Sequence, residues 1–142
     1  MEKERRYAAE KGIDCVINPD RESTDKCYNE ALRYCVENYK TIASVCASHN
    51  AASNLLQAEL IEANGIERNH PHLNFCQLLG MSDNITFNLA AAGFNVAKYV
   101  PYGPIDEVVP YLIRRAEENS SVTGDMSREL QLITKEKKRR GL

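Results

Sequence analysis

The feature that most constrains this chain is a repeated alternation of short apolar, β-branched segments with stretches of helical periodicity. The segments are Thr-Ile-Ala-Ser-Val-Cys-Ala at 41–47, Leu-Asn-Phe-Cys-Gln-Leu-Leu at 73–79 and Val-Ala-Lys-Tyr-Val at 96–100. The first reads as a strand buried on both faces, as parallel sheets require. Helical spacing fills the gaps, over about 51–64 (Leu55, Leu56, Leu60 and Ile61 apolar) and about 82–92. Two more helices are predicted beyond the third strand, at about 105–118 and 127–139. Upstream, 2–11 reads as a charged helix ended by Gly12, and 13–23 as a loop. A helix over about 25–39 follows, with Ser23 or Thr24 as its N-cap and Cys27, Tyr28, Ala31, Leu32, Cys35 and Val36 on one face. Three strands alternating with helices predict an α/β fold in which each strand runs parallel to the last.

The special residues collect where these strands end: Ser48 and His49, then Gln77 to Met81, then Tyr99 to Gly103. In barrels and in doubly wound sheets alike, that edge is where function sits. The chain's 142 residues suffice for one hydrophobic core. They fall short of the about 250 residues of a complete eight-fold βα barrel.

Bulk composition narrows the partners. A net charge of −2 gives no global field favouring nucleic acid. The basic run at 135–140 reads as a solvated helix end, with contact to an anionic membrane surface as its alternative. Five cysteines form no CxxC pair and no cluster with zinc spacing. They read as reduced thiols of a cytosolic or organellar-matrix protein. No apolar run approaches membrane-span length, and the charged start carries neither signal nor transit peptide.

The helix at 105–118 holds the most chemistry. Ile105, Val108, Val109, Leu112, Ile113 and Ala116 follow the spacing of one apolar face. Tyr111, Arg114, Arg115 and Glu118 occupy the other. Two guanidiniums beside a phenol suit a carboxylate or phosphate, which arginine grips through paired hydrogen bonds. A solvated face with Glu118 paired to Arg114 accounts for the same spacing. His49, at a strand end, can serve a flavin, a phosphate or a substrate carbonyl, or simply cap the next helix. Tyr99 can wall a pocket or fill a core. His70 and His72 lie two apart but lack a third metal ligand. No glycine-rich phosphate loop and no nucleophile elbow is present.

Four blocks together carry a resemblance: Ala-Ser-His-Asn at 47–50, Gln-Leu-Leu-Gly-Met at 77–81, Lys-Tyr-Val-Pro-Tyr-Gly-Pro at 98–104, and Pro-Tyr-Leu-Ile-Arg-Arg-Ala-Glu-Glu-Asn at 110–119. In that order and spacing the chain resembles proline dehydrogenase, the flavoenzyme that oxidises L-proline. The resemblance implies a distorted (βα)8, TIM-type barrel with FAD at its mouth and the final barrel helix over the substrate pocket. It assigns Arg114 and Arg115 to the proline carboxylate, Tyr99 and Tyr111 to the ring, and Leu79 to the apolar wall. Ser48 and His49 match a pair that contacts the flavin. The implied reaction is hydride transfer from proline to the flavin N5, giving Δ1-pyrroline-5-carboxylate, with electrons passed on to a membrane quinone.

The family's Lys-Gly-Ala-Tyr strand has no counterpart in residues 1–142, nor do its substrate-facing lysine and its flavin-contacting arginine. The expectation is therefore a partial barrel: the last three βα units plus C-terminal helices, without the N-terminal barrel half. Such a slice, a catalytically incomplete fragment or a binding module, is expected to bind FAD weakly and to aggregate. Residues 17–25 depart from the flavin-contacting Thr-Arg-Lys segment of some relatives and carry no assignment. The resemblance places the protein in the bacterial cytoplasm at the membrane periphery, or on the matrix side of the mitochondrial inner membrane.

Overall fold

The computed structural model describes residues 2–121 and 123–141, the side chains of 116–129 excepted. Two helices come first, α1 (Glu2–Lys11) and α2 (Arg21–Glu37). Then β1 (Ser44–Ala47), α3 (Ala51–Ala63), β2 (Leu73–Leu78), α4 (Asp83–Ala91) and β3 (Val96–Tyr99) alternate, and α5 (Ile105–Ser121) and α6 (Thr123–Arg139) close the chain. The three strands form one parallel sheet in sequential order β1-β2-β3. The α/β expectation and the parallel strand direction hold.

Register explains what faces what. Cys46 pairs with Phe75, which pairs with Val96, and Gln77 with Lys98, so these side chains share one face. Ala47 pairs with Cys76, which pairs with Ala97, and Leu78 with Tyr99, so these share the other. The first face carries the core: Leu73, Phe75 and Cys46 are fully buried against Leu32 and Val36 of α2, Ala58 and Ile61 of α3, and Phe94. Phe75 and Phe94 meet edge to face at 5.5 Å. Both crossover helices lie on this face, since Gln77 bonds Asn54 of α3 and Thr86 of α4 together. No crossover helix covers the second face among the described residues, and α5 meets it at the strand ends through Tyr111 and Arg115. β1 is therefore not buried on both faces as its composition implied; Val45 stays 55% exposed.

Helix boundaries shift where capping decides them. α2 starts at Arg21 rather than 25, because Asp20, not Ser23 or Thr24, is the N-cap, and its carboxylate accepts from Ser23 N at 2.7 Å. That bond holds the Asp20 carboxyl below the usual range. In α3 the apolar pattern misleads. Leu55 is 58% exposed, whereas Ser53, Asn54 and Gln57 are buried with Ala58 and Ile61. Asn54 and the Gln57 amide N–H are satisfied by hydrogen bonds there, whereas Ser53 Oγ and Gln57 Oε1 are buried without one.

Helix α5 reverses an expectation as well. Its apolar residues Ile105, Val109, Leu112 and Ile113 are exposed, Ile105 at 80%. Val108, Tyr111 and Arg115 are the half-buried ones. Most of the apolar stripe is thus exposed, and the edge carrying Tyr111 and Arg115 is the one that reaches the sheet. The side chains of Ala116 and Glu118, which complete the two faces, lie outside the described residues. In α6, Glu136 bonds Arg139 and Arg140 within the helix, which puts part of the basic run into local ion pairs. Those bonds lower the Glu136 carboxyl to about 2. All five cysteines are free thiols, and no described helix is long and apolar enough to cross a membrane.

Truncating Phe75 to alanine should cost roughly 3–5 kcal/mol, while Tyr102→Ala should stay within about 0.5 kcal/mol. Tyr102 is 98% exposed and Phe75 fully buried, so urea denaturation of the two variants separates them. Burial also pushes the Cys46 thiol up, and burial and the bond to Cys46 push the Tyr28 phenol up. The unfolded chain then ionises first, so this contribution is full below the ordinary thiol value of 9.0 and is lost as pH rises beyond it. A midpoint falling at alkaline pH in the wild type, and falling less in Cys46→Ala, checks the sign.

Candidate functional site

The bare sheet face ends in a cleft of about 360 Å³ at the C-terminal ends of the strands. Val45, Ala47, Cys76 and Leu78 floor it, all from that face. His49, Met81, Tyr99, Tyr111 and Arg115 rim it. Each rim residue arrives by a different route. His49 follows β1, Met81 follows β2, Tyr99 ends β3, and α5 brings Tyr111 and Arg115 across the mouth.

The aromatic and cationic wall is built by contact. The rings of Tyr99 and Tyr111 meet edge to face, with centroids 6.1 Å apart. The Arg115 guanidinium lies over the Tyr111 ring at 5.4 Å. A spacing of four residues on one helix permits that stacking. It holds a delocalised cation at the rim of an apolar floor, a setting that favours an anion with a hydrophobic body.

Behind the rim lies a buried polar chain that sequence reasoning missed. Gln77, at a position of β2 whose neighbours in phase are Leu73 and Phe75, is 1% exposed. Its amide donates to Asn54 Oδ1 at 3.1 Å and to Ser48 O at 3.3 Å, and its carbonyl accepts from Thr86 Oγ1 at 2.9 Å. Asn54 Nδ2 donates to Ser48 O at 2.9 Å and Asn50 O at 2.8 Å. Cys46 Sγ donates to Asn54 Oδ1 at 3.8 Å and accepts from Tyr28 OH at 3.6 Å. The 48–50 loop is thus fixed from beneath. Polar residues at apolar-phase positions are the signal that exposes such a network.

The loop after β2 is fixed from both sides. Leu78 O accepts from Met81 N at 3.1 Å, closing a tight turn in which Gly80 has φ +81°, a region open to glycine. Lys98 Nζ donates to Met81 O at 2.6 Å and pairs with Asp83 at 2.7 Å. Ser82 has φ 51°, ψ 41°, and is the one non-glycine with positive φ among the described residues. That conformation costs about 1–2 kcal/mol. Ser82 also occupies the N-cap of α4 without capping it, forgoing roughly 1 kcal/mol. Its hydroxyl instead meets His49 Nδ1 at 2.9 Å.

The structure brings Tyr99, Tyr111, Arg115 and His49 together around one cleft. Arg114 is exposed on the next flank of α5 and does not line it. Leu79 is exposed beyond β2, and Leu78 supplies the cleft floor. Strand alternation causes this, since adjacent residues face opposite sides. Ser48 Oγ accepts from Asn50 N at 3.0 Å, so the side chain shapes its own turn. His70 and His72 sit at the other end of β2: His72 Nδ1 donates to Tyr39 O at 2.7 Å, and His70 Nδ1 accepts from His72 N at 3.2 Å. They are structural groups, and the described residues contain no cluster able to hold a metal ion.

The family model described as proline dehydrogenase matches residues 1–128. Proline dehydrogenase 2, mitochondrial, of Arabidopsis thaliana is 40% identical over 99% of this chain and 30% of its own length. Proline dehydrogenase 1, mitochondrial, of Homo sapiens is 43% identical over 99% of this chain and 24% of its own. The chain thus spans under a third of these relatives. Among solved structures, proline utilization A from Bdellovibrio bacteriovorus, inactivated by N-propargylglycine, superposes with a TM-score of 0.74 at 27% identity, over 83% of this chain and 12% of that one. A parallel sheet with its cleft at the strand ends, matched over residues 1–128 by the family model, places this chain in the proline dehydrogenase family.

Proposed function

We propose that this chain forms the C-terminal wall of an FAD-dependent proline-oxidising site. One observation carries the reading: Tyr99, Tyr111, Arg115 and His49 converge on a single apolar-floored cleft from separate elements. The sequential strand order, with helices on one face and the other bare, fits three βα units of a TIM-type barrel whose interior is that bare face. The superposition on proline utilization A supports the same arrangement.

The residues fit the group they would serve. A planar apolar ring system suits the floor of Val45, Ala47, Cys76 and Leu78, with the His49 imidazole at its margin. Bound FAD would supply the hydride acceptor that no side chain can provide. The chain's own residues bind and orient. Arg115, stacked on Tyr111, holds the proline carboxylate, while Tyr99 and Tyr111 enclose the pyrrolidine ring and exclude water. Arg114 acts from the helix flank, adding charge rather than a direct wall contact. Ser48 shapes the loop that presents His49, and Leu79 closes the outer apolar margin. The product is Δ1-pyrroline-5-carboxylate, and a quinone at a membrane surface takes the electrons.

A second reading, an incomplete fragment acting as a binding module, is favoured by the bare sheet face and its unpaired edges. Reconstitution with FAD and an absorbance spectrum separates the two. Stoichiometric flavin supports the enzyme reading, and none under any condition contradicts it. In the reconstituted protein, Arg115→Met should raise the proline KM roughly ten- to hundredfold, the value of a charge-assisted bond of about 1.5–3 kcal/mol. Arg114→Met should raise it less. Equal KM values in wild type and Arg115→Met would remove the carboxylate role.

A further inference from the structure

The serine best placed to cap α4 does not cap it. Ser82 holds a left-handed backbone that side-chain-bearing residues avoid, and spends its hydroxyl on His49 Nδ1 at 2.9 Å. Two local preferences are set aside for one tertiary bond. The loop carrying it is also tied to β3, with Lys98 bonding Met81 O and pairing with Asp83. Thr86 Oγ1 reaches Ser82 O at 3.2 Å from within α4. The left-handed residue is thus locked from several directions, and it aims one hydroxyl at one ring nitrogen.

We propose that Ser82 is a positioning residue for His49. Among the described residues the Ser82 hydroxyl has no partner but His49. In this role the hydroxyl donates to Nδ1; in the opposite arrangement its proton would turn to solvent, since Ser82 is half-buried. Nδ1 is then the acceptor, the proton of the neutral imidazole sits on Nε2, and the ring is held in one tautomer and one orientation. His49 lines the cleft, so any hydrogen bond the ring makes to a bound group comes from Nε2–H, a donor. The matching ligand atom is an acceptor, a flavin carbonyl or ring nitrogen. That last assignment rests on the function proposed above; the tautomer does not.

Two variants and two readouts test this. In histidine-labelled chain near neutral pH, 15N NMR should show His49 as a single Nε2–H tautomer in the wild type. Ser82→Ala should shift the signal toward a tautomer mixture. Ser82→Gly relieves the left-handed strain, so it should raise the thermal midpoint while losing the same signature. A side chain with a merely structural role would move stability and signature together. FAD affinity of both variants should fall about five- to tenfold, one neutral hydrogen bond's worth. An unchanged His49 signature in both variants overturns the proposal, even where FAD binds the wild type. A signature present in a wild type that takes up no FAD, and lost in both variants, supports the positioning role and contradicts the flavin reading alone.

Discussion

Everything at the cleft depends on the burial of one carboxamide. Gln77 occupies a strand position whose phase calls for an apolar side chain, and a neutral amide left unpaired there would cost about 1–3 kcal/mol. It escapes that cost by joining Ser48 O, Asn54 and Thr86, which belong to the end of β1, to α3 and to α4. Satisfying these groups together ties the strand-end loops to the sheet. A hydrophobic residue at 77 could pack as well. It could not tell the 48–50 loop where to stand.

From that fixed base the rim follows by short steps. Ser48 is held through its carbonyl, which sets His49 beside Ser82. The tight turn at Gly80 and the Lys98 bond bring Ser82 within reach from the other side. Tyr99 ends the third strand on the bare face, and its ring meets Tyr111 when α5 crosses the mouth. Strand register, buried amide and aromatic contact are thus three levels of one construction. The outcome is a site with an apolar floor, a cation on one side and an imidazole on the other.

Much of this was legible in the sequence. Alternating β-branched and amphipathic segments marked each strand and helix, because hydrophobic period is a local property. The clustering of special residues at strand ends marked the edge that matters. The misses share a cause: they depend on what a helix packs against, which spacing alone does not record. Leu55 looks like core but faces out, while Asn54 and Gln57 look like surface and are buried. In α5 the apolar stripe faces away from the sheet, and of the adjacent pair only Arg115 reaches the cleft. Capping was missed at Asp20 because three suitable capping residues crowd one loop. The diversion of Ser82 from capping could not be read at all, since its partner lies 33 residues away.

The central claim is that the bare face of the sheet, at the strand ends, is where a flavin and an amino-acid carboxylate meet. Backbone and side-chain chemical-shift mapping during FAD addition tests it most directly. The account requires the largest perturbations at His49, Cys76, Leu78, Tyr99 and Tyr111, with Leu55 and Phe87 on the helical side unmoved. Perturbations centred on the helical side, with the cleft residues silent, would contradict it.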